Sequence, residues 1–170
     1  MVDSVKMKPY EADALYSGIM MDTNNFSNRT GVRTFEAAAY LRKNGADIVR
    51  VRKMFRDDIG DYKAKAKAIQ NTEIFMDKYA IAICPSEGTS MPTVVGAQAA
   101  NELLNIKGIK AEIVCTFYNE KVYLSARSID EVNVQLIAER LGGGGHMNLA
   151  GAQIEDCTCE QAKTLIKEII

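Results

Sequence analysis

The segment AEIVCTFYNEKVYLSAR, residues 111–127, decides the fold class of this chain. Apolar and polar residues alternate over residues 111–118 and again over residues 121–127, which is the period of β-strands. Asn119 and Glu120 stand between the two halves and suit a two-residue turn. The segment therefore predicts a β-hairpin.

Strand and helix signals alternate on both sides of this hairpin. The predicted strands are short apolar runs bounded by turn residues, and they cover residues 73–76, 79–84, 111–118, 121–127 and 151–154. The predicted helices each follow a capping residue, and they run from Ser90 to about Leu104, from Asp130 to Leu141 and onward from Thr158. From about residue 72 the chain is therefore predicted to be a small α/β domain with a mixed sheet of four or five strands.

The first 70 residues have apolar positions at helical spacing. The helices predicted there cover residues 11–21, residues 35–43 after Thr34 as N-cap, a segment that begins after Asp47, and residues 59–69. The last helix places its apolar face at Ile59, Tyr62, Ala66 and Ile69. We therefore predict two parts, a helical segment over residues 1–70 and an α/β domain over residues 71–170.

Composition and charge restrict the class of function. The 170 residues are 47% hydrophobic and 25% charged, which is ordinary for a globular chain that buries a core. The net charge of -1 gives no electrostatic case for binding long nucleic acid, although a small anionic ligand remains compatible. Because no apolar run approaches the roughly 20 residues of a membrane span, we expect no membrane contact by this chain.

The four cysteines show no Cys-x-x-Cys spacing, and the chain has only one histidine, which argues against a structural zinc site. With no signal peptide, they are expected to be reduced thiols of a cytoplasmic protein, with Cys84 and Cys115 in its core.

The single histidine, His146, directly follows four consecutive glycines, residues 142–145. Glycines can turn their N–H groups toward a bound anion, and an imidazole beside them can donate to a phosphate oxygen. The run therefore predicts a phosphate cradle. The alternative is a flexible hinge after a helix, beside a histidine that only packs or faces solvent.

A second candidate stretch surrounds Asp22, at the end of an apolar helix where the helix dipole disfavours a carboxylate. A divalent cation could compensate the charge, or Asp22 could form an Asx turn with nearby N–H groups, and the residues alone leave both open. Arg29 and Arg33 flank a Thr-Gly turn at Thr30 and could clamp a phosphate or carboxylate.

A third candidate is Arg127, which stands between Ser125 and Ser128 near the end of a predicted strand. Its guanidinium could make bidentate contact with a phosphate or a base edge. Alternatively, it is an edge-strand residue with its head in water.

Three segments together resemble the DHH phosphoesterases, named for an Asp-His-His motif, and their DHH-associated C-terminal domain. GIMMDTNNF at residues 18–26 is similar to the family's last metal-binding motif, and GGGGHMNLAG at residues 142–151 to the glycine-histidine motif of the associated domain. RTGVRTFEAA at residues 29–38 points to the membrane-anchored cyclic-di-AMP phosphodiesterases within that superfamily. The resemblance runs from about Pro9 to the end of the chain.

The resemblance implies a role for each matching position. Asp22 would be one carboxylate ligand of a two-manganese centre that activates water for attack on a phosphodiester. The substrate's phosphate and nucleotide would be held by Arg127, Ser125, Gly143, Gly144, Gly145 and His146. Thr30 and Arg33 would line the cleft.

The departures from the family pattern limit what this chain is expected to do. The DHH motif and the earlier Asp-rich motifs are absent, and one carboxylate cannot hold two divalent ions. We therefore expect a truncated catalytic domain over residues 1–70, followed by the substrate-binding domain, with binding of nucleotide but no turnover. Helices that have lost the sheet they cover would expose apolar faces, which predicts self-association.

The expected partner is a cyclic dinucleotide or a short oligonucleotide. One alternative is an oligoribonuclease or 3′-phosphoadenosine-phosphate phosphatase of the same superfamily. Another is a non-catalytic module that binds nucleotide or RNA.

Overall fold

The computed structural model describes residues 7–27, 30–129 and 131–170, and the chain forms two compact units. The first ends at Arg56, and the second comprises Asp57–Ile170. The predicted boundary lies at residues 70 and 71, and the difference is one helix, Ile59–Gln70. That helix lies in the second unit because its buried alanines share a core with the following helix and the sheet. It stays a prediction that the first part is the remnant of a catalytic domain and the second a substrate-binding domain.

The first unit is helical, with α1 at Pro9–Asp22, α2 at Val32–Lys43 and α3 at Ile48–Met54. Its small core consists of Ala12, Tyr16, Ala38, Leu41, Ala46 and Val51. The buried carboxylate of Asp13 on α1 accepts hydrogen bonds from the Asp47 N–H at 2.6 Å and the Arg50 Nε at 2.6 Å. These two bonds fix the start of α3 against α1.

The caps of α2 and α3 show which local predictions hold. Asp47 caps α3 as predicted, because its carboxylate accepts from the Val49 N–H at 2.7 Å. The prediction for Thr34 is wrong: α2 begins at Val32, and the Thr34 hydroxyl accepts from the Gly31 N–H at 3.3 Å from within the first turn.

Large apolar side chains are exposed on the helices of the first unit, among them Leu15, Val32, Phe35 and Val49. The expected exposure of apolar faces is confirmed. Self-association of the chain stays a prediction, which the molecular mass in solution tests.

The second unit is a mixed sheet with helices on it, as the α/β prediction requires. In chain order its elements are α4 at Ile59–Gln70, β1 at Glu73–Phe75, β2 at Tyr79–Ile83, α5 at Pro92–Leu103, β3 at Ala111–Tyr118, β4 at Lys121–Ser128, α6 at Val134–Arg140, β5 at Gly144–His146, β6 at Leu149–Glu155 and α7 at Cys159–Ile169. No helix among the described residues is long and apolar enough to cross a membrane.

The sheet has the strand order β1-β2-β3-β4-β6-β5, six strands within the described part of the chain. Strands β2 and β3 are parallel, and every other neighbouring pair is antiparallel. The sequence predicts four or five strands, and the additional strand is β5, which the glycine run forms. The predicted hairpin is confirmed, with Asn119 and Glu120 in the left-handed conformation at φ 48° and 62°.

The two faces of the sheet are covered differently. On one face Ile113, Leu124 and Ala126 join the core beneath α6 and α7. On the other face α5 packs on β3 and part of β4, and α4 packs on α5. The outer part of this second face, toward β6 and β5, carries partly or fully exposed residues. We call it the open face, and its residues are Ser125, Arg127, Gly144, His146, Leu149 and Gly151.

Helix α4 buries a different face from the predicted one. Its buried residues are Asp61, Ala64 and Ala68, whereas Ile59, Tyr62, Ala66 and Ile69 are exposed. The Asp61 carboxylate accepts from the N–H of Ser90 at 2.9 Å and from its hydroxyl at 2.8 Å. The buried face of α4 therefore consists of two small alanines that pack on α5 and of Asp61, which is hydrogen-bonded to Ser90.

Two predicted caps in the second unit also differ. Ser90 binds Asp61 and does not cap α5, whose N-cap is Met91. Helix α6 is capped by Asn133, whose side chain accepts from the Gln135 N–H at 3.0 Å, and the predicted cap Asp130 lies outside the described residues. The capping box of Thr158 and Gln161 at α7 is confirmed.

Gly143, directly before β5, permits a close approach to β6 that can be tested by adding a methyl group. A Cβ on Gly143 would stand 2.1 Å from the Gly151 carbonyl oxygen and 2.6 Å from the Ala152 Cα. We expect Gly143→Ala to lower the free energy of unfolding by about 1–3 kcal/mol, as overpacking does. Urea denaturation measures the change.

The matched control is the neighbouring glycine. A Cβ on Gly144 meets nothing within 4 Å, so Gly144→Ala should change stability by no more than about 0.5 kcal/mol. Equal losses in the two variants would contradict the close approach of the strands.

Candidate functional site

The open face brings together the predicted binding residues of the second unit. Arg127 on β4 stands directly opposite Leu149 on β6, which stands opposite His146 on β5. Residues directly opposite one another in a sheet project from the same face. Arg127 and His146 therefore lie on one face, with Leu149 between them.

A second row of residues lies beside the first. Ser125 on β4 is opposite Gly151, and Gly151 is opposite Gly144 on β5. Because side chains two residues apart on a strand share a face, Ser125 adjoins Arg127 and Gly144 adjoins His146. The two glycines carry no side chain, so the surface is low beside the row of Arg127 and His146.

The spacing of Arg127 and His146 suits an anion between them. Two antiparallel strand spacings separate their Cα atoms by about 10 Å. The guanidinium is always charged and offers a planar fork of donors, and the exposed imidazole offers a further N–H. One nitrogen of the fork, Arg127 Nη1, donates to the carbonyl of Ala126 at 2.9 Å. This arrangement can bind a phosphate group above Leu149.

The glycine run is divided between two structural elements: its first two residues end a helix, and its last two belong to a strand. Its first two residues close α6: Gly142, at φ 77°, donates to Glu139 at 3.1 Å, and Gly143 donates to Ala138 at 2.9 Å. This is a Schellman motif. Since the N–H of Gly143 is already bound to Ala138, it does not fit the predicted contact with phosphate. The prediction remains for Gly144 and Gly145, which belong to the edge strand β5.

A buried carboxyl group lies beside Arg127, and the sequence reasoning missed it. Glu112 on β3 is directly opposite Arg127, has 0% exposure, and has no hydrogen-bond partner at either carboxyl oxygen. Burial raises the pKa of Glu112 well above its ordinary value of 4.5, and the positive charge of Arg127 opposes this shift. Burial likewise lowers the pKa of Arg127. The signal available in the sequence was an acidic residue at the second position of a predicted strand that is mainly apolar.

A cavity of about 570 Å³ adjoins the second row of the open face. Its lining includes Tyr123, Gly142, Gly151 and Gln153. Tyr123 and Gln153 are directly opposite each other on β4 and β6. An aromatic ring and an amide are groups that stack on and hydrogen-bond to nucleobases.

The predicted residues of the first unit are not concentrated in this way. Asp22 is the exposed last residue of α1, and Thr23 organises the following turn by donating to Ile19 at 2.6 Å and accepting from Phe26 at 2.9 Å. Thr30 is half-buried and Arg33 is exposed on α2, while Arg29 lies outside the described residues. Their roles in a cleft stay predictions.

The described residues do not complete the two-manganese centre that the resemblance implies for a longer protein. They contain no group of three or more His, Cys, Asp or Glu side chains that could hold a metal ion. Asp22 alone supplies too few oxygen ligands for one divalent ion. Its role as a metal ligand therefore stays a prediction that requires ligands from outside the described part of the chain.

Residues 77–170 match the family of the DHHA1 domain, which accounts for the β2–α7 region and the glycine-histidine strand. The chain belongs to the DHHA1 family. The resemblance to DHH phosphoesterases drawn from the sequence motifs is thereby confirmed.

Curated relatives of this DHHA1 chain include two proteins named cyclic-di-AMP phosphodiesterase. PdeA of Listeria monocytogenes is 44% identical over 161 residues, which cover 94% of this chain and 24% of PdeA. GdpP of Geobacillus thermodenitrificans is 44% identical over 168 residues, which cover 98% of this chain and 25% of GdpP. The chain thus spans about a quarter of the length of these relatives.

Two further similarities extend the comparison. The bifunctional oligoribonuclease and PAP phosphatase NrnA of Mycoplasma genitalium is 31% identical over 93% of this chain and 52% of NrnA. The crystal structure of an exopolyphosphatase-related protein from Bacteroides fragilis has a TM-score of 0.84 at 20% identity, over 95% of this chain and 50% of that one. The structural similarity shows that the fold is shared.

The protonation of Glu112 should appear in the pH dependence of stability. The folded protein retains a proton on Glu112 that the unfolded chain loses above its ordinary pKa of 4.5, so the free energy of unfolding falls as pH rises toward the folded pKa. Glu112→Gln has no such proton. We expect its stability relative to wild type to increase with pH by about 1.4 kcal/mol per unit within that window.

Urea denaturation of both proteins between about pH 4 and 9 measures this difference. Because every other titrating group is common to the two proteins, their contributions cancel in the comparison. Parallel pH profiles would show that Glu112 is ionised in the folded protein.

Proposed function

We propose that the open face of the DHHA1 domain binds the phosphate and nucleotide of cyclic-di-AMP, as the substrate-holding part of a manganese-dependent phosphodiesterase. One observation carries the proposal: the strand register puts Arg127, Ser125 and His146 on a single face beside a surface kept low by glycines. A phosphodiester between Arg127 and His146 would receive charge-assisted hydrogen bonds from both sides.

The neighbouring cavity supports a nucleotide in preference to a bare phosphate. It begins one residue pair beyond Ser125, at Tyr123 and Gln153. Successive pairs on one face lie about 7 Å apart along the strand. Tyr123 lies two such pairs from Arg127, about 14 Å along the strand. A ligand that reaches from the Arg127 guanidinium past Ser125 would place a base over Tyr123.

The names of the relatives support the choice of ligand. PdeA and GdpP match nearly the whole chain and are named for cyclic-di-AMP. Manganese, and Asp22 as one of its ligands, belong to this proposal for a longer protein. For the 170 residues themselves we propose binding without turnover, because the described residues offer no cluster of three metal ligands.

A second candidate is a site for short linear nucleotides, because the relative NrnA, named an oligoribonuclease and PAP phosphatase, matches 93% of the chain. The two candidate functions predict different orders of affinity for the two kinds of ligand. A site for cyclic-di-AMP should bind it more tightly than linear pApA or phosphoadenosine phosphate, and the reverse order would favour the second candidate. A third candidate is a non-catalytic module that binds nucleotide or RNA. It requires that the chain bind RNA and show no preference between cyclic-di-AMP and the short linear nucleotides.

Titration calorimetry with cyclic-di-AMP tests the site directly. Arg127→Ala removes charge-assisted hydrogen bonds worth about 1.5–3 kcal/mol, so we expect affinity to fall about tenfold to a hundredfold. His146→Ala should weaken binding less, because it removes one donor. Arg127→Lys should remain weaker than wild type, since an ammonium cannot make the bidentate contact.

The matched control is Lys107→Ala, which removes an exposed positive charge between α5 and β3. It should leave the affinity unchanged. Equal affinities of wild type and Arg127→Ala, with both proteins folded, would refute the proposed site. Hydrolysis of cyclic-di-AMP by these 170 residues with manganese would refute binding without turnover.

A further inference from the structure

Glu112 is a buried acid with no partner, placed directly beside the candidate phosphate ligand. Helix α5 and the neighbouring strands exclude water from it, and neither carboxyl oxygen is hydrogen-bonded. Burying an unpartnered carboxylate is strongly unfavourable, so such a group remains only in its neutral form or with a charge partner within reach. The cross-strand position puts the Cα of Arg127 about 5 Å away.

Among the described residues, Arg127 is the charged group directly opposite Glu112, and its positive charge opposes the rise in the pKa of Glu112. Strand β2 contributes the apolar Ala80 and Ala82 to this face. The only charged residue of α5 is Glu102, which is exposed. His146 lies three strands from Glu112 in the same row. Two partners can therefore compete for the Arg127 guanidinium, an anion outside and the Glu112 carboxylate inside.

We propose that Glu112 is a positioning residue for Arg127: its protonated form leaves the guanidinium free to bind a ligand phosphate at the open face, and its carboxylate draws the guanidinium inward and competes with that phosphate. The proposal rests on the proposed function and deepens it. Glu112 itself does not touch the ligand, because it is fully buried.

The structure as described corresponds to the binding-competent form. The guanidinium donates to the carbonyl of Ala126 in its own strand, and Glu112 accepts nothing from it. The remaining donors of the fork are thus not engaged by the carboxyl. Loss of the Glu112 proton would add an attraction across one strand spacing in a medium of low dielectric constant, where a unit charge acts strongly.

Linkage gives this competition a measurable form. If phosphate binding requires the protonated acid, affinity falls as pH rises through the pKa of Glu112, by at most about tenfold per pH unit for one linked proton. Binding in that range takes up a proton. The phosphodiester itself keeps one negative charge across this range, so the ligand contributes no slope.

The first experiment measures cyclic-di-AMP affinity from pH 5 to 9.5 for wild type and Glu112→Gln. Wild-type affinity should fall at high pH, whereas Glu112→Gln should keep the high affinity throughout. His146→Asn is the matched control, because it removes the other candidate phosphate donor of the row: this variant should bind more weakly but keep the fall at high pH that depends on Glu112. A flat wild-type profile, or a fall that persists in Glu112→Gln, would overturn the proposal.

The second experiment needs no ligand, so its outcome is separate from that of the proposed function. Carboxyl ¹³C NMR follows the titration of Glu112 in wild type and in Arg127→Gln. If the two groups are coupled, removing the positive charge should move the Glu112 titration to higher pH by one unit or more, which is about a tenfold change in proton affinity. An unchanged titration would overturn the proposal even if cyclic-di-AMP binds.

Discussion

The antiparallel pairing of β5 with β6 is the constraint on which the open face depends. It places His146 opposite Leu149 and therefore in the same row as Arg127. A shift of one residue in this register would turn His146 toward the core beneath α6, because neighbouring residues of a strand face opposite sides. The pairing is possible because Gly143 and Gly145 lack a Cβ. A Cβ on Gly143 would stand 2.6 Å from the Cα of Ala152, and a Cβ on Gly145 would stand 2.5 Å from the Cα of Ala150.

The partial cover of the sheet decides which residues can meet a ligand. Helix α5 covers β3 and removes Glu112 from water, but Arg127, one strand farther out, is only partly covered. One cross-strand pair thus spans the border between the core and the solvent. In the proposed mechanism, the proton held by Glu112 therefore governs the position of the Arg127 guanidinium and not its charge.

Local signals in the sequence predicted local features well. The alternation of residues 111–127 predicted both strands and their turn, and the side chains of Asp47 and Thr158 predicted the helix starts they cap. These features depend on neighbours within a few residues. The motifs around the glycine run likewise indicated the family, which the match over residues 77–170 confirms.

Features that depend on distant contacts were predicted poorly. Ser90 resembles a helix cap, but Asp61 from another helix binds it, and α4 buries Asp61, Ala64 and Ala68 in place of its predicted face. The run of glycines resembles a loop, but β6 supplies the partner that makes it a strand. Nothing within a few residues of Ser90 encodes the position of Asp61. The glycine strand is a different case, because its partner β6 begins three residues after His146 and the hairpin that the sequence reasoning missed is local.

The sequence by itself determined the α/β class, the hairpin, most helices and the candidate binding residues, because periodicity, caps and motifs are local. Only the tertiary structure decided that Arg127, Ser125 and His146 share one face, that the N–H of Gly143 belongs to a helix end, and that Glu112 is buried beside Arg127. The reason is that strand order, register and helix cover bring together residues far apart in the chain, and these define which groups meet and which lose their water.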